Sequence, residues 1–148
     1  SIKNVDVSNL PEGYCQILSF SGSVGELASA NISDAALVFN TPGNDVFSST
    51  DITVAVGVGT PFGMQVGVGW LEDTNGNIVT DPSIIQEQMK GISLTVSGSA
   101  GANVTVYNAG NGYVFKTKGF GSSVSLTFGG SYTKYLGYKE DVAKGIFK

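Results

Sequence analysis

Residues 51–71 read DITVAVGVGTPFGMQVGVGWL, and this stretch decides the fold class. Its apolar residues alternate strictly with small or polar ones: Ile52, Val54, Val56 and Val58 before the Thr-Pro break, and Phe62, Met64, Val66, Val68 and Trp70 after it. A period of two is typical of β-strands. The stretch therefore predicts two strands that pair or lie side by side, with the apolar phase, Trp70 included, facing the core.

Similar short runs recur along the whole chain of 148 residues, which holds 21 glycines and only 14% charged residues. They lie at 5–7, 17–20, 37–39, 92–96, 104–106, 113–115, 124–128 and 132–138. Nine to eleven short strands separated by Gly and Asn clusters are typical of antiparallel sandwiches. The sequence predicts one all-β domain over 1–148, an antiparallel β-sandwich or jelly roll.

One segment carries helix signals instead. Asp81 and Pro82 form an N-cap and first turn, Ile85 and Met89 lie four residues apart, and Gly91 suits a C-terminal cap. We predict one short helix, about 82–90.

The glycines at positions 57, 59, 67 and 69 leave one face of the first two strands without side chains, so something must pack closely there. Two explanations are open. A neighbouring subunit covers the bare face, or an aromatic side chain of the same chain does so, for which Tyr107, Tyr113 and Phe120 are candidates.

The composition excludes most catalytic machinery. The chain has no histidine and no arginine, and its one cysteine, Cys15, lies in an apolar run that favours burial and permits no internal disulfide. We expect no enzyme activity. The net charge of −4 argues against nucleic-acid binding, and the sequence has no apolar run of the roughly 18–20 residues that a spanning helix needs, so we expect no membrane span.

Residues 72–77 combine oxygen-donating side chains with a glycine, as calcium-binding loops do. We expect a calcium site whose candidate ligands are Glu72, Asp73, Asn75, Asn77 and Asp81. Asn44, Asp45 and Asp51 would add ligands if folding brought them close. The alternative is a plain turn, because Gly76 stands between the two last asparagines and no acidic residue occupies the twelfth position of an EF-hand loop.

The first residue is a serine, and we expect a secreted, extracellular protein whose signal peptide was removed. Two sequons support this location and predict glycosylation at Asn31 and Asn103.

Charge and terminal sequence suggest assembly. Residues 1–112 carry ten acids and two lysines, for a net charge of −8, whereas residues 113–148 carry two acids and six lysines, for +4. Head-to-tail contact between copies would pair these regions, unless they interleave within one sheet. Residues 1–10 are a candidate donor strand for a neighbouring copy, and the alternative is an ordinary first strand of the same domain. The predicted assembly residues are Ile2, Val5 and Val7, together with Lys134, Lys139 and Lys144 of the lysine-bearing tail 134–148.

The strand-like segment Ile2–Ser8 and the loop Glu72–Asn77 are the features that come nearest to a known family. In overall character, the chain resembles subunits of extracellular archaeal filaments and tubes. These are the cannula proteins and, second, the bundling pilins of the biofilm-fibre family. The resemblance implies a jelly-roll subunit that polymerises by strand exchange with calcium. The alternatives are a carbohydrate-binding sandwich with Trp70, Tyr113 or Tyr132 as a stacking platform for glycans, and a virion or phage appendage protein.

Overall fold

The computed structural model describes residues 2–59, 61–99, 103–108, 111–119 and 127–148, with the backbone only at 92, 97–99, 103–105, 107 and 108. Its strands are β1 (Tyr14–Gly25), β2 (Ala28–Phe39), β3 (Asp45–Val56), β4 (Gly63–Glu72), β5 (Gly91–Ser99), β6 (Asn103–Asn108), β7 (Val114–Lys118) and β8 (Thr127–Tyr138). Two short helices, α1 (Pro82–Met89) and α2 (Lys139–Ala143), and a 3-10 turn at Ile2–Asn4 complete the described elements.

The strands close into one barrel in the order β1-β2-β3-β8-β5-β6-β7-β4, and β4 pairs again with β1. Every pairing is antiparallel. The all-β prediction is confirmed, but the strands form one closed sheet rather than the two packed sheets of a sandwich or jelly roll. The two strands of residues 51–71, expected to be neighbours, are separated by β1 and β2.

The strand β2 is much longer than the sequence indicated. Only 37–39 had strand-like composition, because Ala28–Ala36 is rich in Ala, Ser, Asn and Asp. The whole segment pairs with β1 on one side and β3 on the other, so ladder hydrogen bonds from two neighbours override its weak propensity.

The predicted helix is confirmed as α1. The side chain of Asp81 accepts a hydrogen bond from the Ser83 amide at 2.9 Å, and Pro82 occupies the first turn. Ile85 and Met89 are buried and close one end of the barrel, which we call the helix end. The opposite end, where β1 turns into β2 and β3 leads to β4, is called the hairpin end. The short helix α2 was not predicted.

The main core lies inside the barrel at the helix end. Phe39 and Phe47 are fully buried there and meet edge to face, 5.4 Å apart, while Phe115 lies 6.2 Å from Phe39. Cys15 is buried in the same cluster as a free thiol, as predicted, and burial raises the pKa of that thiol far above its usual range.

Phe115 also covers part of the face that the glycines at positions 57, 59, 67 and 69 leave without side chains. A Cβ atom at Gly69 would lie 2.5 Å from the Cζ atom of Phe115, so this ring covers the glycine. The internal explanation therefore holds at Gly69, although the aromatic residue is Phe115. Of the predicted candidates, the Tyr107 side chain and Phe120 lie outside the described residues.

This contact predicts different effects on stability for the same substitution at two glycines of β4. Gly69→Ala should lower the free energy of unfolding by about 1–3 kcal/mol, because the new methyl group overpacks a core ring. Gly63→Ala is the matched control, since no described atom lies within 4 Å of its added Cβ, and it should be neutral or slightly stabilising. Urea unfolding followed by circular dichroism measures both. Equal effects would mean that Phe115 moves aside freely.

Candidate functional site

The polarity of the inward-facing and outward-facing residues reverses halfway along the long strands. In β3, Phe47 faces inward at the helix end and is fully buried, but the same inward phase continues toward the hairpin end with Ser49 and Asp51. The outward phase does the opposite, because Ile52 and Val54 are 62% and 57% exposed. At the hairpin end the barrel is thus polar inside and apolar outside.

The outward-facing apolar residues of this end form what we call the apolar belt. Its eleven members are each 42–81% exposed and come from six strands: Phe20, Val24, Ile32, Ile52, Val54, Val56, Met64, Val66, Leu94, Val96 and Phe128. Leu27, Val58 and Phe62 extend it at the connections between strands, and Phe62 stacks on Phe20 with ring centroids 5.8 Å apart.

Strand register makes the belt continuous. One row of directly opposed partners crosses six strands and contains no charged residue: Val24, Ala30, Val54, Phe128, Val96 and Val106. On the other side of β1, Phe20 lies opposite Met64 and Leu18 opposite Val66. Directly opposed side chains on one face are in contact range, so the belt acts as one surface.

The inward-facing positions at the hairpin end leave little room for large side chains at Gly129. A Cβ atom there would lie 2.0 Å from the Ile52 carbonyl oxygen of the neighbouring strand β3. Small residues fill the inward phase there, and the bulky residues of the same strands face outward. The expectation that Trp70 shares a buried face with Val66 and Val68 is therefore wrong: Val66 is 57% exposed and Trp70 is half-buried.

The predicted calcium loop forms a tight turn in the structure. The Oδ1 atom of Asp73 accepts hydrogen bonds from the amides of Asn75 and Asn77, both at 2.9 Å, and the amide of Gly76 donates to the Asp73 carbonyl at 3.0 Å. This is the hydrogen-bonded turn that the sequence offered as the alternative.

The other predicted acidic calcium ligands, Glu72 and Asp81, also form hydrogen bonds or ion pairs with nearby residues. Glu72 accepts a hydrogen bond from the Trp70 indole at 2.7 Å and forms a 2.9 Å ion pair with Lys116. Burial raises the pKa of Glu72, but these two partners outweigh it and hold the pKa below its usual value. Asp81 caps α1 through Ser83. Among the described residues, no three His, Cys, Asp or Glu side chains form a metal-binding group. Calcium binding stays a prediction.

The predicted donor segment is not a strand in this monomer. Residues Ile2–Asn4 form a 3-10 turn, and Val5 and Val7 are 8% and 2% exposed, packed outside the barrel against Val38 and Val46. The outer wall at the helix end is apolar, and the terminal segment covers it. The role of a donor strand in assembly stays a prediction.

The predicted lysines lie at the helix-end side of β8 and beyond it. Lys134 is exposed on β8, Lys139 donates a hydrogen bond to the Val5 carbonyl, and Lys144 pairs with Glu140 at 3.5 Å. Among the ion pairs of the described residues, only Lys116–Glu72 joins a lysine of residues 113–148 to an acid of residues 1–112, so part of the opposite charge interleaves within one chain.

The remaining predicted sites are scattered. Asn31 is half-buried in the inward phase of β2, and the side chain of Asn103 lies outside the described part of the chain. Trp70 stacks on Tyr14 with ring centroids 5.2 Å apart, whereas Tyr132 is 53% exposed on the outer wall. Tyr113 is half-buried and lines a cavity inside the barrel.

The structure contains a polar network around Asp45 that the sequence did not predict. Asp45 was expected only as a conditional calcium ligand. Asp45 has no exposed surface, and its carboxyl group accepts hydrogen bonds from Thr41 at 2.6 Å, Tyr135 at 2.7 Å and Gln86 at 2.9 Å. Burial of Tyr135 and its hydrogen bond to Asp45 raise the pKa of the Tyr135 hydroxyl far above its usual value. The partners lie 4, 41 and 90 residues away, so no local spacing indicates them.

The chain shows no match to any protein-family model, to any curated protein or to any solved structure with which it was compared. Within the described ranges, neither helix has the length and apolar content needed to cross a lipid bilayer.

Proposed function

We propose that this chain is an extracellular structural subunit that assembles with copies of itself, and that the apolar belt is the surface through which the copies meet. The observation that carries the proposal is the uncovered belt itself. Exposed apolar side chains are common singly, but a contiguous band of eleven is not.

The size of the belt supports association. Eleven side chains at 42–81% exposure present an apolar area on the order of 1,000 Å², well above the few hundred Å² typical of a monomer's largest patch. A standard interface buries about 800 Å² per partner. The belt therefore offers enough area for a stable contact, and because it runs across six strands, one flat partner would leave part of it uncovered. This geometry favours a multi-subunit assembly over a simple dimer.

The height of the belt favours a protein partner. On β3 it runs from Ile52 to Val56, which at about 3.3 Å per residue and a strand tilt near 40° corresponds to roughly 10 Å along the barrel axis. The apolar band of a bilayer-spanning protein is about 25 Å tall. Another copy of the chain, which carries the same apolar surface, fits this height without a mismatch.

Strand donation is less favourable than contact between outer faces. In the described barrel, each strand already pairs with two neighbours, so a donated strand finds no free edge. A carbohydrate platform at Trp70 is also less favourable, since its ring is stacked on Tyr14 and its indole nitrogen donates to Glu72. Side-chain packing between belts is the route we propose.

Light scattering of the purified chain over a concentration series, with negative-stain microscopy of the same samples, tests the proposal. We expect the average mass to rise with concentration and regular filaments or tubes to grow. A monodisperse monomer at every concentration would overturn self-assembly.

Two further experiments test for a lipid partner and for a role of calcium. Flotation with vesicles of phosphatidylcholine separates a lipid partner from a protein one, and recovery of the chain with the vesicles in place of self-association would contradict the proposal. Millimolar calcium and then a chelator decide whether assembly depends on calcium, and loss of that dependence in Asp73→Asn would assign the site to the turn at Asp73.

A further inference from the structure

Two Asn-Gly pairs, Asn75-Gly76 and Asn111-Gly112, lie in neighbouring turns at the helix end. Both asparagines are exposed. A Cβ atom at Gly112 would lie 2.5 Å from the Cγ2 atom of Thr74, so the two turns touch and share one solvent environment. In such a pair, the glycine has no Cβ atom to shield its amide nitrogen, which can attack the side-chain carbonyl carbon of the asparagine. The two pairs therefore differ mainly in how their hydrogen bonds hold the reacting groups.

The turn at Asn75 holds its pair in a form that resists this attack. The amide of Gly76 donates a hydrogen bond to the Asp73 carbonyl at 3.0 Å, so the nitrogen that would attack is already engaged. The next amide, that of Asn77, donates to the Oδ1 atom of Asp73 at 2.9 Å. It is therefore not directed at the side chain of Asn75. An attack at this pair would have to break hydrogen bonds that form the turn.

The pair at Asn111 has the opposite arrangement. Among the described residues, the amide of Gly112 has no hydrogen-bond acceptor. The amide of Tyr113 donates to the Oδ1 atom of Asn111 at 3.3 Å, and this oxygen is where negative charge develops when the carbonyl carbon is attacked. The side-chain nitrogen of Asn111 donates to Gln88 of α1, which fixes the amide group with its oxygen toward Tyr113.

We propose that Asn111 is a site of spontaneous deamidation, with the Gly112 nitrogen as nucleophile and the Tyr113 amide as the donor to the developing oxyanion. The Gly112 nitrogen bonds to the Cγ atom of Asn111, the bond from Cγ to the side-chain nitrogen breaks, and ammonia leaves with the proton of the Gly112 amide. Water then opens the imide ring and leaves aspartate or isoaspartate. Either product places a carboxylate beside α1 where the chain had a neutral amide. The site is separate from the apolar belt, so its test does not depend on assembly.

The experiment compares the two pairs within the same molecules. Purified chain is incubated in mildly alkaline buffer below the onset of association, and its proteolytic peptides are analysed by mass spectrometry, which detects replacement of the amide group by a hydroxyl at each asparagine. We expect Asn111 to convert at least tenfold faster than Asn75 in the folded chain. In concentrated guanidinium chloride, the two rates should come within about threefold of each other, because neither turn then exists.

Asp73→Ala is the matched variant, because it removes the side-chain acceptor of the Asn75 and Asn77 amides from an exposed turn. Asn75 should then convert at least threefold faster, whereas the rate at Asn111 should stay as in the wild type. Equal rates at the two pairs of the folded chain, or an Asn75 rate above that of Asn111, would overturn the proposal. So would a preference for Asn111 that persists in guanidinium chloride, since the sequence and not the fold would then set the difference.

Discussion

Replacing Asp45 with alanine is expected to lower the free energy of unfolding by about 3–5 kcal/mol, because this fully buried carboxyl group accepts from one buried and two half-buried donors, which all lose their acceptor at once. Thr41, Gln86 and Tyr135 reach this carboxyl group from the β2–β3 connection, α1 and β8. The substitution would therefore loosen three separate elements at the helix end. Urea unfolding followed by circular dichroism gives the change directly.

Asp34→Ala is the matched control for this prediction. Asp34 also accepts a hydrogen bond from a threonine hydroxyl, Thr50, at the same 2.6 Å, but the pair is exposed to solvent. Water replaces the lost contact there, and we expect a change below about 1 kcal/mol. If the two variants lost equal stability, burial of the Asp45 network would not be what holds the helix end together.

Placing a charge in the apolar belt is expected to weaken self-association at least a hundredfold. Val54 lies in the middle of the charge-free row and is 57% exposed, so Val54→Lys leaves the monomer fold unchanged. In an assembly the same position is buried, and the variant loses up to about 1.5–3 kcal/mol of apolar burial and desolvates an unpaired ammonium group as well. Sedimentation velocity over a concentration series measures the association.

Thr50→Lys is the control for this charge. Thr50 lies on the same strand and in the same outward phase as Val54, but it is a polar position outside the belt. A lysine there adds the same charge and should change association by less than about threefold. Equal loss in both variants would mean that net charge, and not the belt, governs assembly, whereas an unaffected Val54→Lys would place the contact elsewhere on the surface.

Much of the secondary structure could be predicted from local sequence. The alternation in residues 51–71 gave two of the strands, and the Asp81-Pro82 pair gave the start of α1 to within a residue. Burial of Cys15 also followed from its apolar surroundings. These features depend on periodicity and on capping chemistry, which act over a few residues and are therefore written in the local sequence.

The candidate site could be predicted only in part, because its residues were recognised but assigned to the wrong side. Ile52, Val54 and Val66 were expected in the core, yet they form the belt. The Asp45 network was not recognised, since its members are far apart in sequence.

The sequence by itself determined that this protein is built from antiparallel strands with two chemically distinct faces. Which face lies inside was decided only by the tertiary structure. A period of two defines two faces but carries no direction. In the closed sheet, small residues such as Gly129 lie inside at the hairpin end, where an added Cβ would collide with the backbone of β3, and the valines of β3 face outward.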